Sequence, residues 1–274
     1  MRKSRFLLLL LTLVMALALA SCATSPLGRT QLMLQSAPEM AQMGATAFAE
    51  LKSTTPMSND TAQINYVRCV ADAITSVLTP EEVVPVSVSQ WEVVLFDEDS
   101  ANAFALPGGK MGVHTGLLRV ARNQSQLATV MGHEVAHVLA QHGNERVSQT
   151  ALAQLGMNMV GVLAGADTPE KQEALAALGV PLLQVGVLMP FGRGQESEAD
   201  EIGLYLMARA GFDPRESIPL WQNMGRASAG QAPPEFLSTH PSHATRIERL
   251  QAAMPKALEL QQQALASGRR PNCR

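Results

Sequence analysis

The stretch with most chemistry to offer is Met131-Gly132-His133-Glu134-Val135-Ala136-His137, which contains the pattern H-E-x-x-H. On an α-helix, residues four apart lie one above the other, so His133 and His137 can each turn an imidazole nitrogen toward one metal ion. Glu134 falls one step round the helix, beside that ion. A catalytic zinc needs neutral imidazole ligands, an open position for water and a carboxylate close enough to take the water's proton. Three protein ligands are usual, and Gln195-Glu196-Ser197-Glu198-Ala199-Asp200 offers the third. Glu196 and Asp200 share a helical face. Glu196 is expected to complete a site for one Zn2+ per chain, and Asp200 to hydrogen-bond a ligating ring, that of His133, and so fix its tautomer. The donors alone do not exclude another divalent ion. Glu198 points elsewhere on that helix and reads as a solvated acid.

These side chains need rigid elements to hold them. Leu127, Val130, Met131, Val135, Val138 and Leu139 recur at three- and four-residue steps, so the motif falls on a helix with one buried stripe. Asn123 with Gln126 resembles a capping box at its start, and Gly143 suits its end. The acidic stretch opens a second helix that runs through Leu204 and Leu206 to Gly211. Upstream, helices are expected over about 38–51 and from the turn-rich 53–60 to about 78, then strands over 83–88 and 91–96. Asn102 to His114 reads as a hairpin around Pro107-Gly108-Gly109. Its first strand, Asn102, Ala103, Phe104 and Ala105, could take an extended peptide as an added strand, though a purely structural hairpin would look the same. His114 is expected to be structural, and His142 and His243 to be loop histidines. The charge-poor segments 147–166 and 174–192 read as buried core helices, with a lid-like or membrane-facing helical hairpin as the alternative. A helix over 214–227, a loop over 230–238 and a helix through Arg246, Ile247 and Leu250 close the pattern. The fold class is α+β, predominantly helical, with a small β-sheet or hairpin beside the H-E-x-x-H helix.

The chain of 274 residues is 46% hydrophobic, enough for a substantial core, and carries a formal charge of −3. Its one basic cluster, Arg2, Lys3 and Arg5, stands at the N-terminus, so nucleic acid is not an expected partner. That cluster and the apolar run 6–20 have the layout of a secretory signal peptide over 1–21. Leu19-Ala20-Ser21-Cys22 then resembles a bacterial lipobox, in which the Cys22 thiol is acylated; a chance cysteine after an ordinary signal peptide is the alternative. On this reading residues 22–37 are a lipidated tether, 38–274 form the globular domain, and Ala23 after the cysteine favours the bacterial outer membrane, facing the periplasm. In that oxidising setting Cys69 and Cys273 are expected to form a disulfide, with two unpaired thiols as the alternative.

Taken together, His133-Glu134-x-x-His137, Glu196-x-x-Ala199-Asp200-x-x-Gly203, Asn102-Ala103-Phe104-Ala105-x-Pro107-Gly108-Gly109 and Thr239-His240-Pro241 resemble the CAAX-prenyl-protease and HtpX family of gluzincin metallopeptidases. The short bacterial lipoprotein peptidases are the most similar branch. The resemblance covers about 38–255 and implies a zincin-like fold. It lacks the transmembrane helices of the prenyl proteases, so prenyl-peptide substrates are not implied. It also places His240 and Arg246 beside the zinc. His240 would donate to an oxyanion or fill the metal's open position in a latent form, and Arg246 would stabilise the same developing charge. The implied activity is a membrane-anchored zinc endopeptidase with Glu134 as general base, acting on unfolded or misassembled envelope polypeptides, including outer-membrane proteins. Rival readings are a lipoprotein assembly factor that binds such polypeptides with latent proteolysis, and a hydrolase of non-peptide substrates.

Overall fold

The computed structural model describes residues 22–163, 190–227, 235–240 and 246–274. The leader expected over 1–21 lies outside these residues, as do the side chain of Cys22, most of 174–192, Pro241 and His243. The chain divides into two compact units, Met1–Ser36 with Asn144–Gly186, and Ala37–Gly143 with Val187–Arg274.

In the first unit the residues expected as a tether instead form a hairpin. Strand β1 (Cys22–Thr24) pairs antiparallel with β2 (Thr30–Leu32), and Gly28 turns the chain at φ 88°. Arg29 forks onto the Glu145 carboxylate at 2.6 and 2.7 Å, and the Leu34 amide donates to Ser148 Oγ. A bidentate guanidinium–carboxylate pair fixes orientation as well as distance, which a tether would not need.

The second unit holds α1 (Ala37–Thr54), α2 (Thr61–Thr75) and the single turn α3 (Pro80–Val83). Asp60 caps α2 by accepting from the Ala62 and Gln63 amides. The strand expected over 83–88 is absent. Pro80 starts a helical turn there, Glu82 Oε2 accepts from the Thr79 amide, and a 3-10 turn follows over Val84–Val86. Pro85 has no N–H for a sheet, so local capping overrides the β-branched composition.

The sheet is β3 (Glu92–Phe96), β4 (Ala103–Leu106) and β5 (Lys110–His114) in the order β3-β5-β4, with β3 parallel and β4 antiparallel to β5. Gly108 and Gly109, at φ 80° and 77°, make the turn between β4 and β5. The short α4 (Leu117–Val120) leads to α5 (Gln124–Leu139), whose residues from Ser125 onward are all buried. Asn123 Oδ1 accepts from the Gln126 amide, and Gln126 Oε1 accepts from the Arg122 amide. The helix stops before the expected Gly143 because Gln141 is left-handed at φ 53°. Next come α6 (His142–Leu163), α7 (Arg193–Arg209), α8 (Ser217–Ala227), α9 (Glu235–Thr239) and α10 (Arg246–Ala266). Of the segment expected as a core helix over 147–166, Val147 and Ser148 are buried whereas Leu152 and Leu155 are about half exposed. No helix among the described residues is long and apolar enough to cross a membrane.

The core joins Val67, Val70 and Ile74 of α2, Leu127, Val130 and Met131 of α5, Leu204 and Met207 of α7, and Leu250 of α10. Burying each such side chain contributes about 1.5–3 kcal/mol. Gly132 within α5 costs the helix about 1 kcal/mol relative to alanine. It is required nonetheless, because a Cβ there would stand 2.8 Å from the Gly203 carbonyl oxygen, and one on Gly203 would stand 2.7 Å from the His133 amide. The two glycines let α5 and α7 touch backbone to backbone at the motif.

Candidate metal centre

This close crossing of α5 and α7 brings the sequence-predicted ligands together. His133, His137, Glu196 and His240 are buried and offer ligand atoms all within 4.8 Å of one another. His133 Nε2 and His137 Nε2 are 3.0 Å apart, and His133 Nε2 lies 3.2 Å from His240 Nδ1. Glu196 Oε1 stands 3.4 Å from His137 Nε2 and 3.0 Å from His240 Nδ1, while Oε2 stands 3.5 Å from His133 Nε2. Ligands at about 2.0–2.1 Å in a tetrahedron around zinc are about 3.4 Å from each other. The donors therefore sit close to the edges of such a tetrahedron.

The outer ring nitrogens explain why the inner ones face each other. His133 Nδ1 contacts Asp200 Oδ1 at 3.0 Å, as the spacing predicted. His137 Nδ1 contacts His142 Nδ1 at 2.9 Å. With the ring protons on the outer nitrogens, two Nε2 lone pairs meet at 3.0 Å, an arrangement that calls for a cation between them. Glu196 Oε2 is buried without a hydrogen bond among the described residues, although Arg246 Nη1 lies 3.2 Å away. The donor set thus fits zinc on chemistry, spacing and an orphaned carboxylate oxygen.

Electrostatics favours the ligating protonation states. Burial holds His133 and His137 well below the ordinary imidazole range, hence neutral. Burial acts to raise Glu196, but its imidazole neighbours His133, His137 and His240 outweigh that and hold its carboxyl well below the usual range. Burial pushes Glu134 up to about 7 despite the opposing pull of His240, and its Oε1 has no hydrogen bond among the described residues. Burial likewise takes Asp200 to about 6, with Arg246 opposing.

Glu134 lies between the donors and the sheet. Its Oε2 accepts from the Ala105 amide at 3.2 Å, and His240 Nε2 is 3.4 Å from Oε1. The expected substrate strand is the sheet edge, with β5 on one side only. Because Asn102 O accepts from the His114 amide, the alternation of an antiparallel ladder turns the backbone groups of Ala103 and Ala105 to the outer edge. Asn102 and Ala103 are themselves buried, at 6% and 1% exposure, so any peptide must be read by that backbone edge and not by their side chains.

Arg246 stands against the ligand group. Its Nη2 donates to Asp200 Oδ1 at 2.7 Å, its Nε lies 2.6 Å from Oδ2, and its guanidinium covers the Trp221 ring at 3.4 Å. It is tied to the acid that holds His133, while its Nη1 lies 3.2 Å from Glu196 Oε2. Two other residues were missed. His142, expected in a loop, is fully buried against His137, and Glu198, expected in solvent, is buried with Oε2 3.1 Å from His142 Nε2. Five residues from His137 on an unbroken helix His142 would face elsewhere; the left-handed Gln141 brings it back. His114 is structural, with Nδ1 2.7 Å from Ser100 Oγ. Cys69 and Cys273 are joined by a disulfide with Cα atoms 5.6 Å apart.

The model for peptidase family M48 matches residues 68–254. The chain is similar to the mitochondrial metalloendopeptidase OMA1 of Saccharomyces cerevisiae, 37% identical over 64% of this chain and 50% of that protein. It is also similar to the mitochondrial metalloendopeptidase OMA1 of Danio rerio, 34% identical over 85% and 50%. The beta-barrel assembly-enhancing protease of Escherichia coli is 32% identical over 75% of this chain and 42% of its own length. The chain spans about half the length of these relatives. They correct the expected outer-membrane location, since relatives from yeasts, plant and vertebrates bear mitochondrial names. That expectation rested on the first 23 residues. With the family model covering most of the chain and a buried histidine–glutamate group on α5 and α7 able to hold a metal ion, this protein belongs to peptidase family M48.

Proposed function

We propose that the chain is a zinc endopeptidase that holds unfolded or misassembled polypeptides as an extra strand along the outer edge of β4. The observation that carries this reading is the position of Glu134, with Oε2 on the Ala105 amide of that edge and Oε1 3.4 Å from His240 Nε2 beside the ligand nitrogens. Peptide backbone bound at Ala103 and Ala105 would lie next to the base whatever its sequence.

When bound, zinc supplies a Lewis acid that polarises the scissile carbonyl and lowers the pKa of water toward neutrality. Glu134, with its carboxyl near 7, is matched to taking a proton from the attacking water and giving it to the leaving amine. Asp200 and Arg246 hold His133 in the ligating tautomer throughout. His240 Nδ1, 3.2 Å from His133 Nε2 and 3.0 Å from Glu196 Oε1, would hold the metal together with them in a resting, latent form. That placement favours a second reading, a polypeptide-binding assembly factor with proteolysis held latent, in keeping with the name of the Escherichia coli relative.

Incubation with casein, with a small ester and with Glu134→Gln tests the proposal. Casein cleavage should fall at least about a hundredfold in the variant, the scale of a lost general base. Undiminished cleavage would reject the assignment. Hydrolysis of the ester alone would point to a non-peptide substrate.

A further inference from the structure

Behind each ligating histidine of the metal motif stands a carboxylate from α7, but the two are reached by different routes. His133 meets Asp200 directly at 3.0 Å. Among the described residues, His137 meets no acid at its outer nitrogen. Its Nδ1 faces His142 Nδ1 at 2.9 Å, and His142 Nε2 faces Glu198 Oε2 at 3.1 Å. His142 is fully buried and Glu198 nearly so, at 0% and 5% exposure.

The protons in this chain are determined by chemistry. A ligating His137 must present the Nε2 lone pair inward, so its proton is on Nδ1. His142 Nδ1 then has to accept, which places the His142 proton on Nε2, and Glu198 accepts that proton's hydrogen bond. Every member donates or accepts in one direction, from metal ligand to carboxylate. We propose that His142 and Glu198 are positioning residues for the zinc centre, a histidine-extended relay that fixes the tautomer and ring angle of His137 as Asp200 does for His133.

This rests on the zinc reading of the site, and the test separates the two. Zinc affinity of the full chain is measured by competition with a chromophoric chelator, and the visible spectrum of the Co2+ form reports ligand geometry. His142→Phe keeps a ring but removes the acceptor, and should weaken zinc binding about 10–100-fold and shift the cobalt bands. His142→Gln restores an acceptor and should recover most of the affinity. Glu198→Met should weaken binding in the same direction, with Glu198→Gln intermediate, and the double variant His142→Phe with Glu198→Met should lose less than the sum of the singles. Should His142→Phe fail to fold, as judged by circular dichroism, the Glu198→Met and Glu198→Gln pair carries the test alone. Wild-type affinity in Glu198→Met, or equal loss in His142→Gln and His142→Phe, would overturn the relay. Failure of the unaltered chain to bind zinc would instead overturn the metal centre itself.

Discussion

At the scale of single residues, His240 has the most consequential position. Its Nδ1 lies 3.2 Å from His133 Nε2 and 3.0 Å from Glu196 Oε1, where a water would otherwise reach the metal, and its ring stacks on Phe236 with centroids 4.4 Å apart. His240→Ala should therefore leave zinc content unchanged and raise casein cleavage several-fold; reduced cleavage in that variant would mean that the ring serves the reaction and does not block it. The ligands themselves were legible in the sequence, because the i, i+4 spacing of His133 with His137 and of Glu196 with Asp200 is a helix property that survives any tertiary arrangement. His142 and Glu198 were not. Their meeting depends on one left-handed residue, Gln141, and on a helix crossing, neither of which leaves a periodic trace. Arg246 was placed near the zinc by resemblance, but its commitment to Asp200 and Trp221 required coordinates.

Among the elements, the contact between α5 and α7 governs the centre. Gly203→Ala would bring a Cβ within 2.7 Å of the His133 amide and 2.8 Å of the Gly132 carbonyl carbon, backbone atoms that cannot rotate away. The helices would have to part, at a cost of about 1–3 kcal/mol as for other overpacked sites. Thermal unfolding of the zinc-free protein should show that loss, and zinc affinity should fall with it; a variant with unchanged melting and affinity would show that the crossing has slack. The helices were readable from apolar periodicity, and the hairpin from Pro107-Gly108-Gly109. Residues 83–88 were misread because capping by Glu82 and the missing amide of Pro85 outweigh valine content. The hairpin over 22–32 was missed because its ties, Arg29 to Glu145 and Leu34 to Ser148, lie more than a hundred residues away in the chain.

For the whole molecule, the disulfide between Cys69 and Cys273 closes a loop with a sequence separation of 204, tying the tail beyond α10 to α2. The Cys273 amide also donates to Gln124 Oε1 at the start of the metal helix. A cross-link over so long a loop stabilises by about 2–5 kcal/mol. Cys273→Ser should then lower the melting temperature by about 5–15 °C, given about 2–4 °C per kcal/mol for a chain of this size; an unaltered melting temperature would leave the tail without a stabilising role.

The proposed function depends on side chains from two separate helices gathering one zinc ion. Metal analysis of the protein purified without chelator, compared with Glu196→Ala, addresses it most directly. About one zinc per wild-type chain is expected, with the variant largely stripped of it, whereas equal zinc in both would remove Glu196 from the centre and contradict the geometry on which the function rests.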